Sequence, residues 1–217
     1  MGADRRSSAQ LPRLGVDGPE ALSADAACRL RPDLVGDAQQ GPIGSHANWD
    51  MASLCGALAI GVFCDRPDLY RQACDYFAGN NRGQLMSFGN ASLVHGVYFM
   101  HPGHLGQWEE SGLDQGHATL GMSLGGDLLE MAWNQGDDLY GLHNNRFLAA
   151  AEYVARSNLL DENGKPYPMP FVPEHNPTQP HTSLWTQVNQ SFQHRRNAWE
   201  PIYNHYVTWA GRQTSAS

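Results

Sequence analysis

Apolar residues recur at helical spacing through the middle of the chain, between residues 107 and 140. Such a stripe is typical of a helix that packs one face against a core. It consists of Leu113, Leu120, Leu124 and Leu128. We expect the helix to end at Gly136, because glycine readily adopts the left-handed conformation that follows a last helical turn. The rest of the chain is predicted to be organised around this central helix.

Three polar groups are predicted to lie on the same face of the central helix. Glu110, Asp114 and His117 are spaced i, i+4 and i+7, so a continuous helix would align them. One interpretation is a core cluster in which a carboxyl simply pairs with His117; the other is a functional site. Five glycines between residues 112 and 126 favour the second. Each glycine inside a helix lowers stability by ~1 kcal/mol relative to alanine. Close helix packing or a ligand that approaches the backbone would explain why the glycines are present.

Helical hairpins are predicted on both sides of the central helix. Asn48 is expected to cap a largely apolar helix that runs to Phe63, with a turn at 64–68 and a return helix at 69–77. The later helices are predicted from Arg146 to about Ser157, after the capping pair Asn144 and Asn145, and from Leu184 to about His194, after Thr182 or Ser183. Residues 159–182 contain six prolines and are predicted to be loop, and the one strand signal lies at 96–100. The fold class is therefore all-α.

The length of 217 residues suits one domain with a substantial core. Residues 1–44 are expected to be a poorly structured lead with room for one short helix, and residues 45–213 the helical domain. The net charge is −8, without a basic stripe, so nucleic acid is not an expected partner. No apolar run is long enough to cross a membrane, and no secretion signal is visible at the N-terminus.

Neither the cysteines nor the histidines give a metal-binding pattern. Cys55 and Cys64 lie in apolar surroundings and are most simply interpreted as buried thiols; a disulfide is the alternative. His95, His101 and His104 have no acidic residue or cysteine at a ligand spacing. We therefore predict no metal and no cofactor.

The chain offers the groups that proton transfer beside a carboxylate needs. Asn48 and Trp49 place an amide beside an indole, which suits a sugar. Near the C-terminus, Arg196, Trp199 and Tyr203 follow a one-face helical spacing that Pro201 is expected to disturb. With the central acids and His117, these groups could neutralise a carboxylate and move a proton next to it.

Six stretches of the sequence together resemble the alginate-lyase-like polysaccharide lyases. They span residues 45 to about 207 and read SHANWD, CDRPDLY, QWEESGLDQGHATLGM, AWNQGDDLYG, NRFLAAAEYVARSNL and WEPIYNHY. The resemblance implies an (α/α) toroid of paired antiparallel helices. It also implies β-elimination on a uronic-acid-containing polysaccharide of the alginate or glucuronan type, by a secreted or periplasmic enzyme. An acidic polysaccharide is the implied partner.

The resemblance assigns roles to individual residues. Asn48, Glu110 and Arg196 would hold the uronate carboxylate, with Arg195 as the alternative to Arg196. His117 would be a base or an orienting group, and Tyr203 the base, the acid or both. Substrate-binding positions would be Trp49, Trp108, Asp114, Gln115 and Trp199.

The chain departs from the family at several points. Related proteins usually carry further helices before the Asn48 region, so this chain is expected to hold an incomplete toroid with an exposed apolar face along residues 51–63, and to self-associate through it. Leu113 stands where a basic residue is expected. Two other functions stay open. A glycoside hydrolase would use Glu110 with Asp114 or Asp50, and a non-catalytic module binding acidic glycans would need only Trp49, Trp108 and Arg196.

Overall fold

The computed structural model of the protein describes residues 47–79, 92–175, 184–190 and 196–209. The predicted lead at 1–44 lies outside these residues. Helices account for 58 % of the structure and strands for 10 %, so the prediction of a mainly helical protein is confirmed. Two small antiparallel sheets of two strands each are also present.

The first two helices form the predicted hairpin. Helix α1 spans Asn48–Phe63 and α2 spans Pro67–Phe77, with Pro67 in the first turn, where no intrahelical N–H is needed. Inside the hairpin, the Tyr76 hydroxyl donates to the buried Asp50 carboxylate at 2.6 Å. The capping prediction is wrong by one position, because Ala47 precedes the helix and Asn48 is its first helical residue.

A short helix, α3 (Leu93–Gly96), leads into an antiparallel hairpin of β1 (Val97–His101) and β2 (Leu105–Trp108). The strand expected near 96–100 is confirmed. Its partner was not predicted, because all four residues of β2 are buried and their sequence does not alternate. The central helix therefore begins later than predicted, since residues 107–113 are strand and turn.

The central helix, α4, spans Gln115–Gln135, and Asp114 is its N-cap. It ends, as predicted, at Gly136, which has a φ of 96°. Helix α5 spans Leu142–Ser157, but its residues 143–145 are left-handed, so regular helix starts at the predicted Arg146. Helices α1, α4 and α5 enclose one core that includes Met51, Met122, Leu128 and Phe147.

The segment after the proline-rich loop corrects a prediction. Residues 184–190 are not helical: β4 (Leu184–Trp185) pairs with β3 (Glu174–His175), and residues 186–190 have no regular secondary structure. The remainder of the predicted helix, 191–195, lies outside the described residues. The chain continues as α6 (Trp199–Tyr203), which contains Pro201, and a π-helix (Asn204–Trp209). No described helix is long and apolar enough to span a bilayer.

One thiol prediction is also wrong. Cys64 is disulfide-bonded, whereas Cys55 and Cys74 are free.

The outer side of α1 is an apolar surface. Trp49 and Phe63 are 78 % and 64 % exposed, and Gly56 lies between them at heptad spacing, with open space beside it. Self-association through this face stays a prediction. Sedimentation velocity should show concentration-dependent association, which the double variant Trp49→Ser/Phe63→Ser should weaken and Leu160→Ser, an exposed control, should not. A wild-type protein that is monomeric at high concentration would contradict it.

Close packing explains Gly121 in α4. A Cβ atom there would overlap the indole nitrogen of buried Trp108. We expect Gly121→Ala to lower the free energy of unfolding by about 1–3 kcal/mol through overpacking. Gly56→Ala, the control in the open part of α1, should raise it by up to ~1 kcal/mol. Denaturant unfolding of both variants measures the two changes in free energy. Equal changes in Gly121→Ala and Gly56→Ala would show that the contact with Trp108 does not destabilise the first variant.

Candidate active site

The candidate site forms where a turn leads into α4. Residues 109–113 are turn, and Glu110 has a φ of 64°, a left-handed conformation uncommon for glutamate and frequent at functional sites. Asp114 then caps the helix, and His117 lies in its first turn. The predicted helical face through Glu110, Asp114 and His117 is therefore wrong, although the turn and the helix start still bring the three groups together.

Asp114 and His117 form a tight pair. One carboxylate oxygen accepts the His117 backbone N–H at 2.8 Å, and the other lies 2.8 Å from Nδ1 of the ring. Burial alone would raise the pKa of Asp114, but the hydrogen bonds from His117 outweigh it and hold the pKa below the ordinary value. Because an ionised Asp114 can only accept, Nδ1 carries a proton, and Nε2 is the ring nitrogen left to act as a base. Both carboxylate oxygens of Asp114 therefore contact His117, and substrate binding by Asp114 stays a prediction.

Glu110 takes up a proton more readily than an ordinary glutamate. It is 8 % exposed, and burial raises its pKa to about 6, against the lowering effect of His117 and of the Asn48 backbone N–H. Its Oε2 atom has no hydrogen-bond partner among the described residues. A protonated carboxyl can donate to a carboxylate, which an ionised one would repel.

Two further predicted residues contact the first turn of α4. The Asn48 side-chain amide donates to the His117 carbonyl at 2.8 Å, and the Arg196 Nε donates to the Gly116 carbonyl at 3.3 Å. Asn48 is buried, so it positions His117, whereas the resemblance implied contact with substrate. Arg196 is exposed, and this contact places it beside the pair. Arg195 lies outside the described residues.

The structure does not bring Tyr203 into contact with this pair. Its neighbour Ile202 packs near Gly126. Gly126 is nine residues from His117, or roughly 14 Å along the helix axis at ~1.5 Å per residue. The Tyr203 side chain is 60 % exposed, whereas Trp199 packs partly into the core. The part of α6 next to Tyr203 therefore lies further along α4 than His117.

Two of the predicted substrate-binding residues are interior. Trp108 is 1 % exposed and packs edge-on against Phe147, with ring centroids 6.3 Å apart. Gln115 is fully buried; it donates to the Asn189 carbonyl at 3.0 Å and accepts from Asn158 at 2.8 Å. Their burial gives substrate binding at these two positions no support, and residue type alone could not reveal it. Trp49 is open to solvent beside Asn48.

Sequence reasoning missed a group of buried carboxyls beneath the site. Burial raises the pKa of Glu109 well above its ordinary value, and the charges of Glu110, Glu174 and Asp50 raise it further. Burial, followed by the charge of Glu110, raises the pKa of Glu174 to about 7. The only sequence signal was the Glu109-Glu110 pair, because the other acids are distant in the chain.

These raised pKa values predict a loss of stability at neutral pH. The folded state keeps protons that the unfolded chain releases, so the contribution is complete below the ordinary pKa of 4.5 and disappears as the pH rises through about 7 for Glu174. In Glu174→Gln, the decline in the free energy of unfolding with rising pH should be smaller by on the order of 3 kcal/mol. Unfolding between pH 4 and about 8 measures it, with exposed Glu162→Gln as the control. Superimposable pH profiles for Glu174→Gln and wild type would contradict it.

The three histidines of the loop and hairpin do not converge. His95 lies 2.7 Å from the Ser92 hydroxyl, and His101 lies 3.0 Å from the Gln107 amide oxygen, whereas His104 is in the hairpin turn. Within the described part of the chain, no three His, Cys, Asp or Glu side chains are arranged to hold a metal ion.

Comparison with known proteins gives no relative: no family model matches the chain, and no curated protein or solved structure is significantly similar to it.

Proposed function

We propose that the protein is a polysaccharide lyase that cleaves a uronic-acid-containing polysaccharide by β-elimination, and that its helices belong to an (α/α) toroid. The Asp114–His117 pair, placed beside a buried carboxyl with a pKa of about 6, carries the proposal. A base beside a guanidinium and a carboxyl that readily takes up a proton is what proton removal next to a carboxylate requires. The helical hairpins support the toroid.

In the proposed reaction, Arg196 and protonated Glu110 bind the uronate carboxylate. Nε2 of His117 removes the proton from the adjacent carbon. The electron pair of that C–H bond forms the new double bond as the bond to the glycosidic oxygen breaks, and that oxygen takes its proton from Tyr203. Charge on the carboxylate grows during proton removal, so Arg196 and Glu110 act most strongly in the transition state. Asn48 holds the turn that carries His117.

A glycoside hydrolase is less well supported. It would need two carboxyls on opposite sides of a sugar, but Asp50 is fully buried and Asp114 is committed to His117. A binding module would have no use for an oriented base. The disulfide of Cys64 supports the expectation of a secreted or periplasmic protein, since such bonds persist in oxidising compartments.

The test is ultraviolet absorbance of the unsaturated product during incubation with alginate, glucuronan and glycosaminoglycans. We expect absorbance to rise with at least one polymer and not with His117→Gln. If the polymers lose length without any absorbance increase, the protein is a hydrolase; if they are bound but unchanged, it is a binding module.

A further inference from the structure

An open groove adjoins the candidate active site. It has a volume of about 520 Å³ and is lined by Gly112 and by the segment Leu184–Gln190. That volume lies in the range of small-ligand sites in proteins. The segment was expected to be a helix; instead it is a two-residue strand followed by irregular structure, and it forms the wall of the groove.

Hydrogen bonds fix this wall to the turn of the active site. The Asn189 backbone N–H donates to the Ser111 carbonyl at 3.0 Å, and its side-chain amide donates to the Leu113 carbonyl at 2.7 Å. The Gln115 amide donates in turn to the Asn189 carbonyl at 3.0 Å. The turn between Glu110 and Asp114 is thus one side of the groove, so a chain bound at His117 can continue into it.

Gly112 allows the wall of the groove to pack closely against the turn of the active site. A Cβ atom at this position would overlap the Cβ of Trp185 and crowd the ring of Phe171. The absence of a side chain therefore lets Trp185 pack directly on the turn. This close approach explains a glycine that has no helical role, since residue 112 precedes α4.

The described lining of the groove is uncharged. Thr186 and Gln187 are exposed and offer a hydroxyl and an amide, and half-buried Trp185 offers an indole. Hydroxyl and amide groups hydrogen-bond sugar hydroxyls, and an indole packs against the apolar face of a ring. By contrast, the carboxylate of a second uronate would call for a cation, as Arg196 provides beside His117.

We propose that this groove is a subsite for an uncharged sugar next to the uronate at His117. The substrate is then a polymer in which uronate alternates with a neutral sugar, rather than a homopolymer of uronates. This inference rests on the proposed lyase function and narrows its substrate class.

The test compares kcat/KM for unsulfated chondroitin, whose uronate alternates with an uncharged amino sugar, with kcat/KM for alginate. Wild type should prefer chondroitin. Gln187→Ala should lower that preference about tenfold, the equivalent of one lost hydrogen bond. Gln135→Ala, an exposed glutamine at the far end of α4, should leave it unchanged.

A preference for alginate in wild type, or an unchanged ratio in Gln187→Ala, would overturn the subsite. If wild type forms no unsaturated product from any polymer, it is the lyase function that fails. Calorimetry with unsulfated chondroitin oligosaccharides then tests separately whether the groove binds the sugar. Weaker binding to Gln187→Ala than to Gln135→Ala supports the subsite, and equal binding to the two variants overturns it.

Discussion

His117→Gln should reduce turnover by about 10²–10⁴-fold, the usual contribution of a general base. Glutamine has a similar size and can still hydrogen-bond, but it has no lone pair basic enough to accept the proton. His117 is exposed, so the variant should fold normally. Steady-state kinetics on the polymer that wild type cleaves, together with thermal unfolding, measures the effect.

Asp114→Asn is the matched variant. Asparagine is as good an N-cap as aspartate, so α4 should keep its start and the protein its stability. The asparagine amide can donate to Nδ1, however, which would move the ring proton to Nε2 and remove the base. We expect a loss close to that of His117→Gln. Normal turnover in Asp114→Asn would show that the pair serves only to cap the helix.

Tyr203→Phe should abolish most turnover while substrate binding is nearly unchanged. The substitution removes only the hydroxyl that is proposed to protonate the leaving oxygen, so kcat should fall about 10²-fold or more and KM should change little. Because the side chain is exposed, the free energy of unfolding should not change.

This variant is a severe test, because the part of α6 next to Tyr203 lies further along α4 than His117 and no described contact joins Tyr203 to His117. Near-normal kcat in Tyr203→Phe would refute its assigned role. The imidazolium formed on His117 would then have to return the proton to the leaving oxygen itself.

The helices were predictable where local sequence determines them. Helices α1, α2, α4 and α5 have periodic apolar residues and clear termination signals such as Gly136. The segment at 184–190 was not predictable, because the hydrogen bonds that hold it in a non-helical conformation join Asn189 to distant residues of the turn and of α4. Tertiary contacts of this kind override a local helix-capping signal.

The chemistry of the site was predicted better than its geometry. The sequence indicated that Asp114 and His117 would meet, but it aligned them with Glu110 on a helix, because the buried strand β2 has no alternating pattern to reveal it. It also could not distinguish a residue that holds the site from one that faces substrate. Asn48 and Trp108 have the right types for sugar binding, and only the packing shows that both are interior.

The mass of the products tests β-elimination most directly. Each cleavage by a lyase divides the chain without adding water and leaves an unsaturated uronate at the new non-reducing end. We therefore expect every wild-type product with a new non-reducing end to be lighter by one water than the acid-hydrolysis fragment of the same length, and His117→Gln to give no such product. If these fragments instead have the mass of the hydrolysis fragments, the lyase mechanism is contradicted.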